Sequence, residues 1–398
     1  MNQRIKAMDE HIGELFPGLH IISGSGSTLT SSDGEEYLSF FTDSLRWLCG
    51  YDNARLNERL NGLITRASSN ELTPGDITDK LADQLLSHTP GLSSAAFTEN
   101  DIYAELAPLL ENGEKKLFLV IGTMDPNIPE QYKSRFIDYR QAAAKEDPGE
   151  QFTAVLSQKT LQKVFKRYKG RLAGVILTIE QPAAANFIAS ESALLVQKHA
   201  RRARVPFILD ERSTSPYRTG TFFASSQFSL EPDIITGGGR LYGNRRLYFA
   251  LMTRKYAKKK LKPLTGIPQS KTLANCLMLT AIISELETME LPRRITELNH
   301  RLVCKLRALE ANSGGHFTYR SFGSLFYLNL KQNALAKRTY EYLFDEKILL
   351  EPDASARECL IIAPPLTFSG FDIDSLIDAL DDFFKNGIRL PSKRPHQL

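Results

Sequence analysis

Two short apolar segments, each ending at acids or glycines, constrain the fold of this chain more than any other feature. Residues 205–244 read VPFILDERSTSPYRTGTFFASSQFSLEPDIITGGGRLYGN. The first apolar run ends at Asp210-Glu211, and the second enters the glycine triplet 237–239 through Thr236. Such runs are typical of buried strands, and acids at strand ends point into the crevice of an open α/β sheet. By pattern alone, two ordinary core strands with solvated loops remain the plainer interpretation.

A strand–helix–strand rhythm surrounds these segments. Leu172–Ile179 has the pattern of a strand, Ala189–Arg204 that of a helix, and the strand before Asp210 follows directly. This alternation is typical of a mostly parallel sheet with helices on both faces. Further strands are predicted at Leu117–Ile121 and Leu247–Met252, whereas residues 127–152 are predicted to be polar and helical.

The composition is that of a soluble globular protein, with 42% hydrophobic residues, 24% charged residues and a net charge of +4 over 398 residues. No aromatic-and-basic pattern indicates nucleic-acid binding, and no apolar run approaches a membrane span or the core of a signal peptide. The cysteines lie far apart without metal-ligand spacing, which favours reduced thiols in a cytoplasmic protein: Cys49, Cys276, Cys304 and Cys359.

The segment 210–236 resembles the class III (ornithine/GABA-type) aminotransferases, which are pyridoxal-phosphate (PLP) enzymes of fold type I. Their pattern runs D-E-V-Q-T-G-F-G-R-T-G and then E-P-D-I-I-T-x-x-K-G-L-G-G-G. The residues of this chain that match it in order are Asp210, Glu211, Thr214, Arg218, Thr219, Gly220 and Glu231 to Thr236.

The resemblance implies an α/β protein of PLP-dependent transferase fold type I. A large domain over residues 51–285 would carry a mostly parallel, seven-stranded-type sheet sandwiched by helices. A smaller α+β domain would form from both termini, residues 1–50 and 286–398. The resemblance also implies a homodimer, or a heterodimer with a related enzyme, because the family builds its sites at the dimer interface.

The central catalytic residue of the family is missing from this sequence. Counting on from Thr236, the lysine that forms the Schiff base falls on Gly239, and Leu241 and Gly243 keep the frame. Arg240 cannot replace it, because a guanidinium stays protonated and is not a nucleophilic amine. The sequence therefore predicts neither a catalytic residue nor a metal ligand.

Two positions retain the chance of a cofactor contact. The family's aspartate, which binds the pyridine nitrogen, is Asp210, and the glutamine beside the phenolic oxygen is Ser213. Through them PLP or PMP would bind weakly and without a covalent bond, or not at all. The alternative for Asp210 is an ion pair with a nearby base, either Arg212 or Arg240, of which Arg240 stands beside the former cofactor position.

The family's other binding positions have also changed. At the start of the helix whose N–H groups would hold the phosphate, Glu99 and Asp101 place negative charge, and Thr98 is the expected N-cap. The phosphate-binding threonine falls on Ile267 and the carboxylate-binding arginine on Ile361. The segment after Ile121 lacks the aromatic ring that stacks on the cofactor.

Three functions follow from this pattern. The first is a protein unable to carry out normal PLP transamination, acting as a scaffold or as the inactive subunit of a biosynthetic enzyme pair. The second is an active PLP- or PMP-dependent enzyme with lysine-independent chemistry, which needs another acid or base in the lysine's place. Ordinary transamination is the third, and the missing lysine and the missing phosphate loop argue against it independently.

Overall fold

A computed structural model describes residues 12–13, 16–41, 45–122, 128–147, 155–181, 186–242, 245–259, 270–352 and 357–386. The chain divides into two compact units. The larger unit contains residues 58–241 and 245–288, and the smaller unit contains residues 1–57, 242–244 and 289–398.

The strands of the described residues are, in chain order, β1 (Ile21–Ser25), β2 (Thr28–Ser31), β3 (Glu36–Ser39), β4 (Ser94–Thr98), β5 (Leu117–Ile121), β6 (Phe136–Asp138), β7 (Leu172–Thr178), β8 (Glu180–Gln181), β9 (Asn186–Phe187), β10 (Phe207–Asp210), β11 (Ile234–Arg240), β12 (Arg246–Met252), β13 (Thr318–Phe322), β14 (Leu325–Asn329), β15 (Ile348–Leu349), β16 (Glu351–Pro352) and β17 (Cys359–Ile362).

The helices of the described residues are α1 (Ala54–Ser68), α2 (Pro74–Ser87), α3 (Ile102–Leu110), α4 (Glu130–Lys133), α5 (Tyr139–Glu146), α6 (Gln158–Arg167), α7 (Ser190–Ala203), α8 (Arg254–Lys259), α9 (Ser270–Glu287), α10 (Leu291–Asn312), α11 (Asn333–Asp345) and α12 (Gly370–Lys385). None of them is both long and apolar enough to cross a membrane.

A seven-stranded sheet forms the centre of the larger unit, in the order β4-β12-β11-β10-β7-β5-β6. The pairs from β11 to β6 are parallel, and β12 is antiparallel to both of its neighbours. Six strands therefore point one way and β12 the other. All residues of β7 and β10 are buried, as expected for central strands that are covered on both faces.

The smaller unit is built around two four-stranded sheets, with the orders β1-β2-β3-β15 and β13-β14-β17-β16. The first sheet joins strands from both ends of the chain, because β15 pairs with β3 in parallel. Aromatic rings fill the core beneath it. Phe16, for example, stacks on Tyr340 and Phe344 with ring centroids 5.9 Å away in each case.

The structure bears out most of the predicted elements and corrects one region. The strand predicted at Leu117–Ile121 has the same bounds, and the one predicted at Leu172–Ile179 ends one residue earlier. In the region 127–152, however, the edge strand β6 lies between two helices. The prediction that this region contains only helix was wrong, because a strand of three residues is too short to show an alternating hydrophobic pattern.

Candidate functional site

Asp210 stands at the centre of the candidate site, as the last residue of β10. In the parallel register it lies opposite Thr178 of β7 and Thr236 of β11. This is the carboxyl edge of the sheet, where open α/β sheets place their ligand crevice. Asp210 is only 4% exposed, and a carboxylate this buried requires partners.

Arg212 holds that carboxylate from two residues further along the chain. Its Nε lies 2.9 Å from Oδ1 of Asp210, and its Nη2 lies 2.7 Å from Oδ2. The backbone N–H of Arg212 also donates to Oδ1, at 3.1 Å. Two parallel N–H···O bonds between a guanidinium and a carboxylate are among the strongest polar contacts in proteins. Of the alternatives considered for Asp210, the structure shows the ion pair with a nearby arginine, and that arginine is Arg212.

Tyr103 of α3 and Thr236 complete this cluster. The Arg212 guanidinium lies over the Tyr103 ring, with Cζ 4.9 Å from the centroid. The Tyr103 hydroxyl lies 3.4 Å from Oγ1 of Thr236, which is itself 3.4 Å from Oδ1 of Asp210. Burial, and then the negative charge of Asp210, raise the pKa of Tyr103 well above its ordinary value, so this phenol is neutral at pH 7. We call Asp210, Arg212, Tyr103 and Thr236 the Asp210 cluster.

Glu211, the second acid of the pair, has a structural role. It is fully buried, and its carboxylate accepts hydrogen bonds from the hydroxyl of Thr214 at 2.5 Å and from the backbone N–H groups of Ala224 and Ser225 at 3.0 and 2.8 Å. Burial raises its pKa despite these bonds. Glu211 therefore fixes the loop that follows β10 and, with it, the position of Arg212.

The glycine triplet continues β11 as far as Arg240, paired with the antiparallel β12. A Cβ on Gly237 would lie 2.2 Å from a ring carbon of Phe249, closer than any real contact. Gly238 and Gly239 have φ angles of +93° and +150°, a region that disfavours residues with a side chain. The backbone at the family's lysine position is therefore suited to glycine.

The helix after β4 begins later than the sequence suggested. Thr98 is the last residue of β4, and its hydroxyl accepts from the N–H of Asn100 at 3.1 Å. The N-cap is Asp101, whose carboxylate accepts from the N–H of Ala104 at 2.8 Å. The Thr98 prediction was wrong, because β4 extends up to this residue. A carboxylate occupies the helix start, where the family binds phosphate.

A cavity of about 600 Å³ opens beside this helix start. Glu99 at its wall is fixed by Oγ1 of Thr272 at 3.0 Å and by Nδ2 of Asn275 at 3.2 Å. Three carboxylates and one guanidinium supply the charges of the lining, and they belong to Glu99, Asp101, Glu105 and Arg246. The excess of negative charge is unfavourable for a phosphate.

The other predicted positions do not join the Asp210 cluster. Ser213 is exposed in the turn after β10, and Ile361 lies on β17 of the smaller unit. Ile267 and the segment 123–127 lie outside the described residues. Within the described ranges, no three His, Cys, Asp or Glu side chains meet as a metal site would require.

Comparison with known proteins leads to the same family that the sequence resembles. A sequence model of the class-III aminotransferases matches residues 120–384, so the chain belongs to the class-III aminotransferase family. It is 25% identical to an acetylornithine aminotransferase of Listeria monocytogenes, over 93% of this chain and 95% of that protein.

Solved transaminases share the fold. An S-selective transaminase from Bacillus megaterium has a TM-score of 0.75 at 17% identity, with 94% of this chain and 95% of that chain covered. The PMP-bound aminotransferase of Vibrio fluvialis also reaches 0.75, at 15% identity and with 96% and 95% covered. The predicted family and fold type I are confirmed.

The described residues do not fit the cofactor as the resemblance implies it is bound. Both oxygens of Asp210 are engaged by Arg212, position 239 offers no amine, and the carboxylate of Asp101 caps the helix that would receive the phosphate. Each of the three contacts is replaced by a different feature of this chain, so the disagreement does not rest on one residue.

Sequence reasoning missed one member of the cluster and underweighted another. Tyr103 has no signal of its own, because it appears as one of several buried residues of α3. Arg212 was a candidate only by its proximity to Asp210. The chemistry of Asp210 also points to Arg212 as its partner, since an unpaired buried carboxylate is costly.

Proposed function

We propose that this chain is a class-III aminotransferase-like protein that does not transaminate through a lysine-bound cofactor. It acts as a scaffold or as the inactive subunit beside a related enzyme. The observation that carries the proposal is the ion pair between Asp210 and Arg212, in which the guanidinium takes both carboxylate oxygens.

The energetics of this pair support the proposal. A pyridinium nitrogen offers a carboxylate one N–H, whereas Arg212 offers two and also lies over the Tyr103 ring. Displacing Arg212 would separate two charges whose side chains are only 19% and 5% exposed. Breaking a buried pair typically costs about 3–5 kcal/mol, which a cofactor would have to offset without a covalent bond.

A second candidate function is lysine-independent chemistry with non-covalent PLP or PMP. Asp210 favours it, because the residue keeps the position that the resemblance assigns to the pyridine contact. It would require Arg212 to move away from Asp210, and Ser213 would have to turn from solvent to the cofactor. The two candidates therefore differ in whether wild-type protein binds either compound.

The proposal also covers the oligomeric state of the protein and its cellular compartment. A homodimer, or a heterodimer with a related class-III enzyme, would use the assembly that the family resemblance implies. The cytoplasm suits the four cysteines, all of them described, because none is joined in a disulfide. Light scattering of the purified chain, alone and mixed with an intact class-III enzyme from the same cell, tests the association.

The deciding experiment is a titration of the purified protein with PLP, and separately with PMP, followed by absorbance and calorimetry. We expect no saturable binding to the wild type and weak binding to Arg212→Ala. Arg167→Ala is the matched control, because it removes an arginine from an exposed pair with Glu146. Saturable binding of either compound to the wild type would favour the second candidate, and turnover of an amino donor with it would overturn the proposal.

A further inference from the structure

A second cavity, of about 680 Å³, lies at the edge of the sheet opposite to Asp210. Its lining includes Val205 and Asp233, which precede β10 and β11, and Thr253, which follows the antiparallel β12. All three mark the amino edge of the parallel strands, whereas Asp210 ends β10. The length of β10, at about 3.3 Å per residue, separates the two sites.

The floor of this cavity is apolar. Val205, Leu230 and Ile235 line it and are at most 8% exposed. The ring of His88 forms a wall, and it is fixed by stacking on Phe222 with centroids 3.9 Å apart. A volume of this size and a floor of this kind are typical of sites for small organic molecules.

Cationic side chains surround the apolar floor. Arg201, Arg204 and Lys255 line the cavity together with the carboxylates Glu231 and Asp233. Arg201 is paired with Glu231, at 2.5 Å. Oδ2 of Asp233 accepts the backbone N–H of Phe207, at 3.0 Å. Lys255 is hydrogen-bonded to Tyr256 and also interacts with the charge of Asp233, whereas the side chain of Arg204 is exposed. The lining thus carries three cations against two carboxylates, an excess that favours an anion.

The backbone conformation of Arg204 allows a clean test of its side chain. This residue ends α7 in the left-handed conformation, with φ of +54°. Glycine is the usual residue there, because a side chain is unfavourable at positive φ. Glycine can therefore replace Arg204 without backbone strain, and the substitution removes only the side chain.

We propose that this cavity binds a small organic anion with an apolar body. Its charged group meets Arg204 and Lys255, and its body covers Val205, Leu230 and Ile235. The side-chain hydrogen bond between Lys255 and Tyr256 raises the pKa of Lys255, so this ammonium is charged at neutral pH. The site is separate from the Asp210 cluster and does not depend on how that cluster is used.

Hexanoate and phenyl phosphate are the probes, with hexanamide as the neutral analogue, in calorimetric titrations of the full chain. We expect saturable binding of at least one anion and none of the amide. Arg204→Gly, which relieves the positive φ, and Lys255→Ala should each weaken binding by about tenfold or more, as loss of a charge-assisted hydrogen bond does. The ratio between the two anions identifies carboxylate or phosphate as the preferred group.

The matched controls are Arg202→Ala and Arg254→Ala. Each removes an exposed arginine beside a proposed contact, but neither residue lines the cavity. Their affinities should stay within about twofold of the wild type. The proposal is wrong if neither anion binds, if the amide binds equally well, or if the control variants lose as much affinity as Arg204→Gly and Lys255→Ala.

Discussion

Arg212 and Asp210 form a two-pronged ion pair at the carboxyl end of a buried strand, in the position where the class-III resemblance expects a cofactor ring. The planar guanidinium is bonded at its edge to the carboxylate and lies with its face over Tyr103. A planar cation of the protein itself thus satisfies the acid. Because the pair is local in sequence and buried in the fold, it can be tested through stability as well as through binding.

Asp210→Asn should lower the free energy of unfolding by roughly 3 kcal/mol, because it leaves the Arg212 charge partly buried without its carboxylate. Urea denaturation at pH 7 measures the change. Glu146→Gln is the control, since it breaks an exposed pair with Arg167 and should cost less than about 1 kcal/mol. Equal losses in the two variants would show that the Asp210 pair has no special energetic role.

Gly239→Lys alone should not produce a yellow protein that turns over an amino donor. The φ of +150° at this position makes any side chain unfavourable, so the variant should lose about 1–2 kcal/mol of stability. Absorbance spectra after addition of PLP and an assay of transamination provide the measurement. Gly239→Ala separates backbone strain from the effect of the amine, and a yellow, active Gly239→Lys protein would show that the site is otherwise intact.

Asp101→Ala should destabilise the protein by about 1 kcal/mol, because the carboxylate caps the helix α3. Thr98→Ala should have a smaller effect, since the Thr98 hydroxyl bonds only the turn before the helix. Thermal or urea unfolding of the two variants compares them directly. A larger loss for Thr98→Ala would place the functional cap at Thr98.

His199 should make stability depend on pH below neutrality. It is 7% exposed, and its Nε2 has no hydrogen-bond partner among the described residues. Burial, and then the charges of Arg202 and Lys198, lower its pKa below the ordinary 6.5. The unfolded chain therefore gains a proton at a higher pH than the folded chain does, and the free energy of unfolding should fall as pH falls below 6.5.

Urea denaturation between neutral and acidic pH tests this dependence. In His199→Gln the extra slope below pH 6.5 should disappear, whereas His300→Gln, at an exposed position of α10, should follow the wild type. An unchanged slope in His199→Gln would mean that another group titrates there.

Much of the fold could be predicted from the sequence alone. The apolar runs gave β5 with its observed bounds and β7 to within one residue, because buried central strands are continuous in their apolar character. The match around Asp210 identified the family, and the frame through Leu241 placed glycine at the lysine position. All of these features can be recognised from residues that are neighbours in the sequence.

The site itself was decided by the tertiary structure. Arg212 and Arg240 are equally basic in sequence, and only the loop held by Glu211 directs Arg212 onto Asp210. Thr98 and Asp101 are both good N-caps, and the length of β4 selects between them. Tyr103 reaches Arg212 because α3 packs on β12 and β7, the two strands that flank β11 and β10. Hydrophobic periodicity is local and so can be read along a chain, whereas the partner of a buried charge depends on which distant groups the fold brings within about 3 Å.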